Sequence, residues 1–381
     1  MEVIKWFFAL AGHVGICCVA FNKIHAGASP RGTRKITEKF IAAVAIIPLL
    51  LFLWRAGHAG VQHISDAPVL WLYLYGAALF GVFLTCRWIV RKFSVQTPAG
   101  VRLVKKEIIN VEDCHDDSIL SGAKVKFFGA LPLNQILKLQ IEHWELSLAN
   151  LPQELDGLKI VQFSDLHLTG MILPEYFDTI VERANSFEPD LVLVTGDIVD
   201  ERDCMAWLKP IFSKLKSKHG IYYVLGNHDI LVRDETGLRK ALKNAGLRWA
   251  ADGQWHELHI NNSKLLLTGN AMPWFKHCKD LPAPDDPQAF KLLLSHSPDQ
   301  LTWALERGVD LMFGGHTHGG QVQLPLIGPV VAPSTYGVKY ASGNFRFGKM
   351  LMHISRGLSG DEPIRFFCPP ELGCFTLRRQ S

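Results

Sequence analysis

Five short apolar runs in this chain each end in side chains of the kind that bind metal ions. They read LKIVQFSDLH, carrying Asp165 and His167; DLVLVTGDIVD, carrying Asp197 and Asp200; IYYVLGNHD, carrying Asn227, His228 and Asp229; KLLLSHSPD, carrying His296; and DLMFGGHTHGGQ, carrying His316 and His318. One histidine after one apolar run is ordinarily a core or surface residue. Five such endings point to a shared site, because α/β proteins bind ligands outside the carboxyl ends of strands, on loops held by a rigid sheet. Gly196, Gly226, Gly314, Gly315, Gly319 and Gly320 permit sharp turns at these ends. His316 and His318 are two residues apart, so in an extended segment they project to one side and offer two imidazoles from one loop. The donors are oxygen and imidazole nitrogen without thiolate, a set suited to Mn, Fe, Zn or a mixed pair rather than to copper or an iron–sulfur cluster.

These runs need a scaffold. From about Leu139 onward short apolar stretches alternate with helical ones, an α/β pattern without internal repeat or low-complexity tract. With 381 residues, 48% hydrophobic and 20% charged, the chain has material for one large core or for two unequal modules. The formal charge of +4 is small and its basic residues gather near the N-terminal apolar segments, so no nucleic-acid partner is expected. Among the eight cysteines none forms a CxxC pair, and three (Cys17, Cys18, Cys86) lie in apolar segments; neither a disulfide framework nor a zinc knuckle is expected.

Three apolar stretches open the chain, roughly Val3 to Phe21, Phe40 to Trp54 and Val69 to Cys86. The first and third suit a bilayer crossing, which takes about 20 residues; the middle one, which contains Pro48, is marginal between a span and a re-entrant segment. The first intervening loop holds Lys23, Arg31, Arg34, Lys35 and Lys39, the second only Arg55 beside Asp66, and Arg87, Arg91 and Lys92 follow the third segment. Basic loops favour the cytoplasm, so the catalytic part is expected there. The rival reading is a cleaved signal peptide ending near Ala26-Gly27-Ala28, which Glu2 disfavours. The expected organisation is a membrane region over 1–92, a connector over 93–137 and an enzymatic domain over 138–381. The acidic cluster Glu112, Asp113, Asp116 and Asp117 in the connector reads as a solvated loop rather than a cation site.

The series D-x-H, G-D-x-x-D, G-N-H-D, a lone H and G-H-x-H, in this order at strand ends, resembles the calcineurin-like metallophosphoesterase superfamily. LKIVQFSDLHL, LLLSHSPD, GGHTHGGQ and the tail ISRGL…PIRFFCPPE are similar to its membrane-associated YkuE- and YaeI-like subgroup. That resemblance implies a four-layer αββα sandwich with two divalent metal ions. It implies one metal on Asp165, His167, Asp197 and His318 and a second on Asp197, Asn227, His296 and His316, with Asp197 bridging. His228 then stands beside the leaving oxygen and Asp200 orients it, while the next residue, Asp229, takes a capping or loop role. The protein-phosphatase branch has an arginine after G-D-x-x-D to grip phosphate. Here that place is Glu201, which disfavours a dianionic monoester, and Arg202 is out of register by one.

The reading favoured is hydrolysis of a phosphodiester or pyrophosphate in a lipid-linked substrate such as a UDP-diacylglucosamine, with the bilayer as partner. The alternatives are a phosphomonoesterase or general phosphodiesterase on soluble substrates, and a non-catalytic metal-binding scaffold, which ordinarily loses ligands that are all present here. A transporter draws only on the apolar N-terminus, where Lys5 and His13 offer no ion pathway. Trp274 and Phe275 are expected to plug a core edge, with an exposed lip for an acyl chain as the alternative. Arg365 is expected in a structural ion pair, and Arg356 is left open.

Overall fold

The computed structural model describes residues 2–27, 36, 37, 39–46, 50, 68–94, 97–275 and 281–380. They form two compact units, one of residues 1–96 with 333–337 and the other of 97–332 with 338–381.

The first unit is built on helices Glu2–Ala26 and Pro68–Ser94. Their stretches Phe7–Ala26 and Leu72–Val90, of 20 and 19 residues, are long and apolar enough to cross a membrane. The helices approach at glycines: a Cβ on Gly12 would lie 1.7 Å from the Ala77 carbonyl oxygen, and one on Gly81 2.2 Å from that of Phe8. Small residues at a crossing let backbones pack directly, as helices in lipid do. Large apolar side chains face outward, Leu72 at 75% and Leu79 at 73% exposure, a surface suited to lipid rather than water. His13 hydrogen-bonds Tyr73 on the facing helix. Of the middle apolar segment, 39–46 is helical, whereas 47–49 and 51–54 lie outside the described residues, as do Ala28, Arg31, Arg34, Lys35, Arg55, Asp66 and the Lys5 side chain.

The second unit contains strands β1 (Val101–Asn110), β2 (Lys138–Leu148), β3 (Lys159–Phe163), β4 (Leu191–Thr195), β5 (Ile221–Val224), β6 (Leu247–Trp249), β7 (His256–Ile260), β8 (Ser263–Asn270), β9 (Phe290–Ser295), β10 (Leu311–Gly314), β11 (Gln323–Leu324), β12 (Gly328–Pro329), β13 (Gly343–Phe347), β14 (Met350–Ile354) and β15 (Glu371–Arg379). One sheet has the order β1-β2-β15-β3-β4-β5-β6 and the other β13-β14-β10-β9-β8-β7, with β11 and β12 as a separate hairpin. Strands β3 to β6 are parallel neighbours, as are β8, β9, β10 and β14. Parallel sheets covered on both faces read as continuous apolar runs, and β4, β5, β9, β10 and β14 are buried at every residue. The sheets meet through β4 and β5 on one side and β8 and β9 on the other. Helices Pro174–Ser186, Leu208–Phe212 and Glu235–Asn244 connect β3 through β6, and Leu301–Glu306 joins β9 to β10. This is the mixed α/β, two-sheet architecture expected of the sandwich.

Residues 93–137, read above as a connector, include β1, which pairs antiparallel with β2 from Val101↔Leu146 to Asn110↔Lys138. Helix Ala123–Gly129 and the buried Val111, Ile119, Leu120, Val125 and Ile136 follow. The sheet therefore begins well before residue 138. Its first strand is a mostly exposed edge carrying Lys105, Lys106 and Glu107, charges that blunt edge pairing and also hide the strand from an apolar-alternation pattern. The final strand, β15, lies between β2 and β3, parallel to the one and antiparallel to the other.

Candidate metal centre

The ends of β3, β4, β5, β9 and β10 deliver all the expected side chains to one rim, and backbone bonds fasten the loops together. Asp165 N–H donates to Gly196 O at 3.0 Å, His167 N–H to Asp197 O at 3.0 Å, and Gly315 N–H to His296 O at 2.8 Å. Carboxylates fasten them further: Asp197 Oδ1 accepts from His228 N–H at 2.7 Å and Asp165 Oδ1 from His316 N–H at 3.0 Å. Asp229 is buried and accepts from the backbone of Ile198, Val199 and Gly226 at 2.7–2.9 Å, the loop-tying role expected of it. Burial and the neighbouring Asp197 push its pKa up to about 7.

Asp165, His167, Asp197, His316 and His318 all have left-handed backbones, with φ from 46° to 71°. Such conformations cost on the order of 1–3 kcal/mol each in non-glycine residues and persist where surrounding structure over-determines them, typically at functional sites. Glycine solves a different problem here. A Cβ on Gly226 would meet Asp197 Oδ1 at 2.2 Å and His296 Nε2 at 2.6 Å, and one on Gly315 would meet Ser164 Oγ at 1.9 Å and Asp165 Oδ2 at 2.3 Å. The ligands make the turns themselves, while these two glycines clear the space into which the ligands point.

Three donor groups result: two share Asp197, and the third is His167, Asp200 and His228. In the first, Asp165, His167, Asp197 and His318 bring donor atoms within 4.8 Å of one another. His167 Nε2 and His318 Nε2 are 3.1 Å apart, and Asp165 Oδ1 is 3.5 Å from His318 Nε2. In the second, Asp197, His296 and His316 gather within the same limit, with His296 Nε2 3.1 Å from Asp197 Oδ2 and 3.2 Å from Asn227 Oδ1. Beside the first, Asp200 accepts from His167 Nδ1 at 3.0 Å and from His228 Nδ1 at 2.7 Å. The donors fit a divalent ion: two imidazole nitrogens 3.1 Å apart match two ligands on one ion at bonds of about 2.0–2.1 Å. A carboxylate behind His167 is the usual outer partner of a metal-binding histidine.

The electrostatics show what occupies such a cage when protons alone are available. Burial opposes a charge on His167, yet Asp200 and Asp197 outweigh it and push its pKa up to about 10. His296 rises to about 9 because Asp197 and Asp165 likewise overcome burial. His318 is held well below the usual histidine range by burial, by His167 and by the Arg365 cation. Burial opposes ionisation of Asp197 and Asp200, but the histidines hold both well below the ordinary carboxylate value. His228 is raised by Asp197 and Asp200 against its own burial.

Some neighbours were not expected. The half-buried Trp274 packs its ring against His316 and His296, with centroids 4.8 and 5.4 Å apart, so it walls the second donor group, while Phe275 is buried as a plug. The only signal in sequence was an aromatic pair in a loop. Arg365 is fully buried and, among the described residues, has no carboxylate partner; it donates to His318 O at 3.3 Å and to Ser359 O, and its Nη2 lies 3.1 Å from His318 Nδ1. The expected ion pair belongs instead to Arg356, which meets Glu142 at 3.2 Å and Glu371 at 3.3 Å. Arg202 pairs with Asp234 at 3.1 Å.

Residues 158–320 match the family model for calcineurin-like phosphoesterases. The chain is 35% identical to the metallophosphoesterase YkuE of Bacillus subtilis (strain 168), over 60% of this chain and 82% of the relative. It is 29% identical to the phosphodiesterase YaeI of Escherichia coli (strain K12), over 58% and 82%. It is 28% identical to the UDP-2,3-diacylglucosamine pyrophosphatase LpxG of Chlamydia muridarum (strain MoPn / Nigg), over 62% and 88%.

Proposed function

This chain belongs to the calcineurin-like phosphoesterase family, and from that premise we propose that it is a two-metal hydrolase of a phosphodiester or pyrophosphate bond in a lipid-linked substrate. One observation carries the reading: two buried donor groups share Asp197, with the Asp200–His228 pair alongside. Asp165, His167, Asp197 and His318 would hold one divalent ion, and Asp197, Asn227, His296 and His316 the other. When bound, such a pair clamps a phosphoryl group and makes hydroxide available near neutral pH.

The chain's own groups do the rest. His228, fixed through Nδ1 by Asp200, carries a proton that its other nitrogen can give to the departing oxygen. Asp200 keeps that ring charged and in one orientation, and the same carboxylate steadies His167. Buried walls exclude water around Asp165, Asp197 and His296, which strengthens every charge interaction at the rim. Trp274 offers an apolar surface to the part of the substrate beyond the second donor group.

Glu201, after the second motif, supports a diester or pyrophosphate over a dianionic monoester. The relatives named for phosphodiesterase and for UDP-2,3-diacylglucosamine pyrophosphatase activity support the same class. Two apolar helices support action at a membrane, where tethering raises the effective concentration of a lipid. Arg87, Arg91 and Lys92, in the C-terminal turns of the second helix, support a cytoplasmic catalytic unit.

The test is metal analysis of the purified full chain, together with Mn²⁺-dependent hydrolysis of bis-p-nitrophenyl phosphate, p-nitrophenyl phosphate and UDP-diacylglucosamine. About two bound metals, with diester or pyrophosphate cleaved in preference to monoester, is the expected result. A chain that binds no metal and cleaves none of the three sinks the reading.

A further inference from the structure

Beyond the metal centre, the second unit exposes apolar side chains where a water-facing surface would carry polar ones. Leu326 is 84% exposed, Leu133 67% and Phe127 66%, and Leu324, Ile327 and Phe367 are also exposed. They come from three places in the sequence: the helix Ala123–Gly129 and the turn after it, the β11–β12 hairpin, and the segment before β15.

Backbone bonds stitch these segments into one piece. Asn134 and Val322 each form a β-bridge with Phe366. Gln323 N–H donates to Phe366 O at 2.9 Å and Phe366 N–H to Gln321 O at 3.2 Å, while Asn134 Nδ2 donates to Phe128 O at 2.7 Å. The piece also includes the metal-ligand loop. The hairpin starts five residues after His318, and Arg365, adjacent to Phe366, donates to His318 O at 3.3 Å.

The backbone supplies an independent observation. Leu133, Leu326 and Phe367 have φ of 67°, 67° and 53°. A left-handed backbone is an outlier for a bulky apolar residue, and among the described residues Leu133, Leu326 and Phe367 are the apolar side chains that adopt it. Each strained apolar residue is also exposed, so the strain does not serve to bury it. It holds the side chain outward.

We propose that this apolar rim is a bilayer-docking face, through which the catalytic unit inserts Leu326, Ile327 and their neighbours among lipid headgroups. The occupant follows from the chain itself. Helix Pro68–Ser94, long and apolar enough to cross a membrane, ends three residues before the second unit begins at Thr97, so that unit is never far from a bilayer. Lys124 and Lys126 stand beside Phe127 on the short helix, and lysines flanking exposed aromatics suit an anionic interface. Docking there would bring the loop of His316 and His318 to the membrane surface, where a lipid-linked pyrophosphate presents its polar part. The activity arm of the test rests on the proposed function; the insertion arm does not.

The experiment uses the full chain in phosphatidylcholine–phosphatidylglycerol nanodiscs. An environment-sensitive fluorescent side chain replacing Leu326 should shift to the blue and be quenched by lipids spin-labelled near the headgroup. In parallel, Leu326→Glu/Ile327→Glu should raise the apparent KM for bilayer-embedded UDP-diacylglucosamine about tenfold with kcat unchanged, and leave hydrolysis of bis-p-nitrophenyl phosphate as it was. An unquenched probe overturns the proposal, and if the same preparation is a dimer the face belongs to a second copy. Equal loss on both substrates also overturns it, because the hairpin would then act on the chemistry itself. If the unaltered chain cleaves neither substrate, the proposed function fails while quenching still decides docking.

Discussion

Asp200→Asn separates the two tasks assigned to one carboxylate. Asp200 bonds His167 Nδ1 at 3.0 Å and His228 Nδ1 at 2.7 Å, and it is buried. The amide keeps the shape but loses the charge. A hydrogen bond to a charged group contributes about 1.5–3 kcal/mol, so losing the one to His228 should lower kcat roughly 10- to 150-fold at saturating metal. The His167 bond supports the first donor group, and its loss should weaken that metal by roughly 10- to 100-fold. Steady-state kinetics on bis-p-nitrophenyl phosphate with Mn²⁺ reads the first effect, and calorimetric titration of the metal-free chain reads the second. A pH profile adds a third readout: with His228 as the proposed acid, activity should fall as pH rises through its pKa. That pKa is raised by Asp197 and Asp200, so the variant's basic limb should move to lower pH. His228→Gln alone should cost about 10²–10⁴ in kcat with metal content intact. Adding Asp200→Asn to His228→Gln should then change kcat little, because the two act in series. Full additivity would refute the assignment of Asp200 to His228, and unchanged metal affinity would refute its assignment to His167.

Metal uptake at pH 7 should release about two protons, since His167 and His296 hold protons up to about 10 and about 9 in the metal-free chain; calorimetry in buffers of differing ionisation heat measures the count. Both pKa values lie above the unfolded value near 6.5, so their contribution to stability is complete below that pH and lost as pH climbs through 9 to 10. Asp197 and Asp200 are depressed, so their contribution is present above the ordinary carboxylate range and lost as pH falls below it. Melting of the chelated protein should therefore show a maximum between these limits. Gly226→Ala should disrupt metal binding, because its Cβ would lie 2.2 Å from Oδ1 of Asp197, which both groups share, and 2.6 Å from His296 Nε2; metal analysis of the folded variant, verified by circular dichroism, decides. Trp274→Ala should raise KM for a UDP-linked lipid while leaving metal content unchanged, and a loss of metal would mean the ring only braces His316.

The candidate metal centre was legible because its residue types are rare together and each follows a run with an obvious strand pattern. The pairing of Asp197 with both groups came from family resemblance, and the donor distances agree with it. The strain at Asp165, His167, Asp197, His316 and His318 was not legible, since aspartate and histidine, though enriched in left-handed backbones, adopt them at too few positions for residue type to place them. Arg365 read as half of an ion pair because a buried arginine ordinarily needs a carboxylate. Its acceptors are instead two backbone carbonyls, which no sequence pattern encodes. Strand β1 was hidden by its charged, solvent-facing side chains, and the place of β15 by the more than 220 residues that separate Glu371 from its neighbour Gln140.

That insertion of β15 between β2 and β3 governs how the protein is made. A ribosome that has translated as far as Pro370 has made every candidate metal ligand, yet the first sheet still lacks the strand between β2 and β3 and is split in two. Closure must await translation of β15 itself, by which time the apolar helices have long since left the ribosome. A nascent chain cut short before Glu371 should thus present ligands without a cage to hold them, and should be handled by the cell as unfinished.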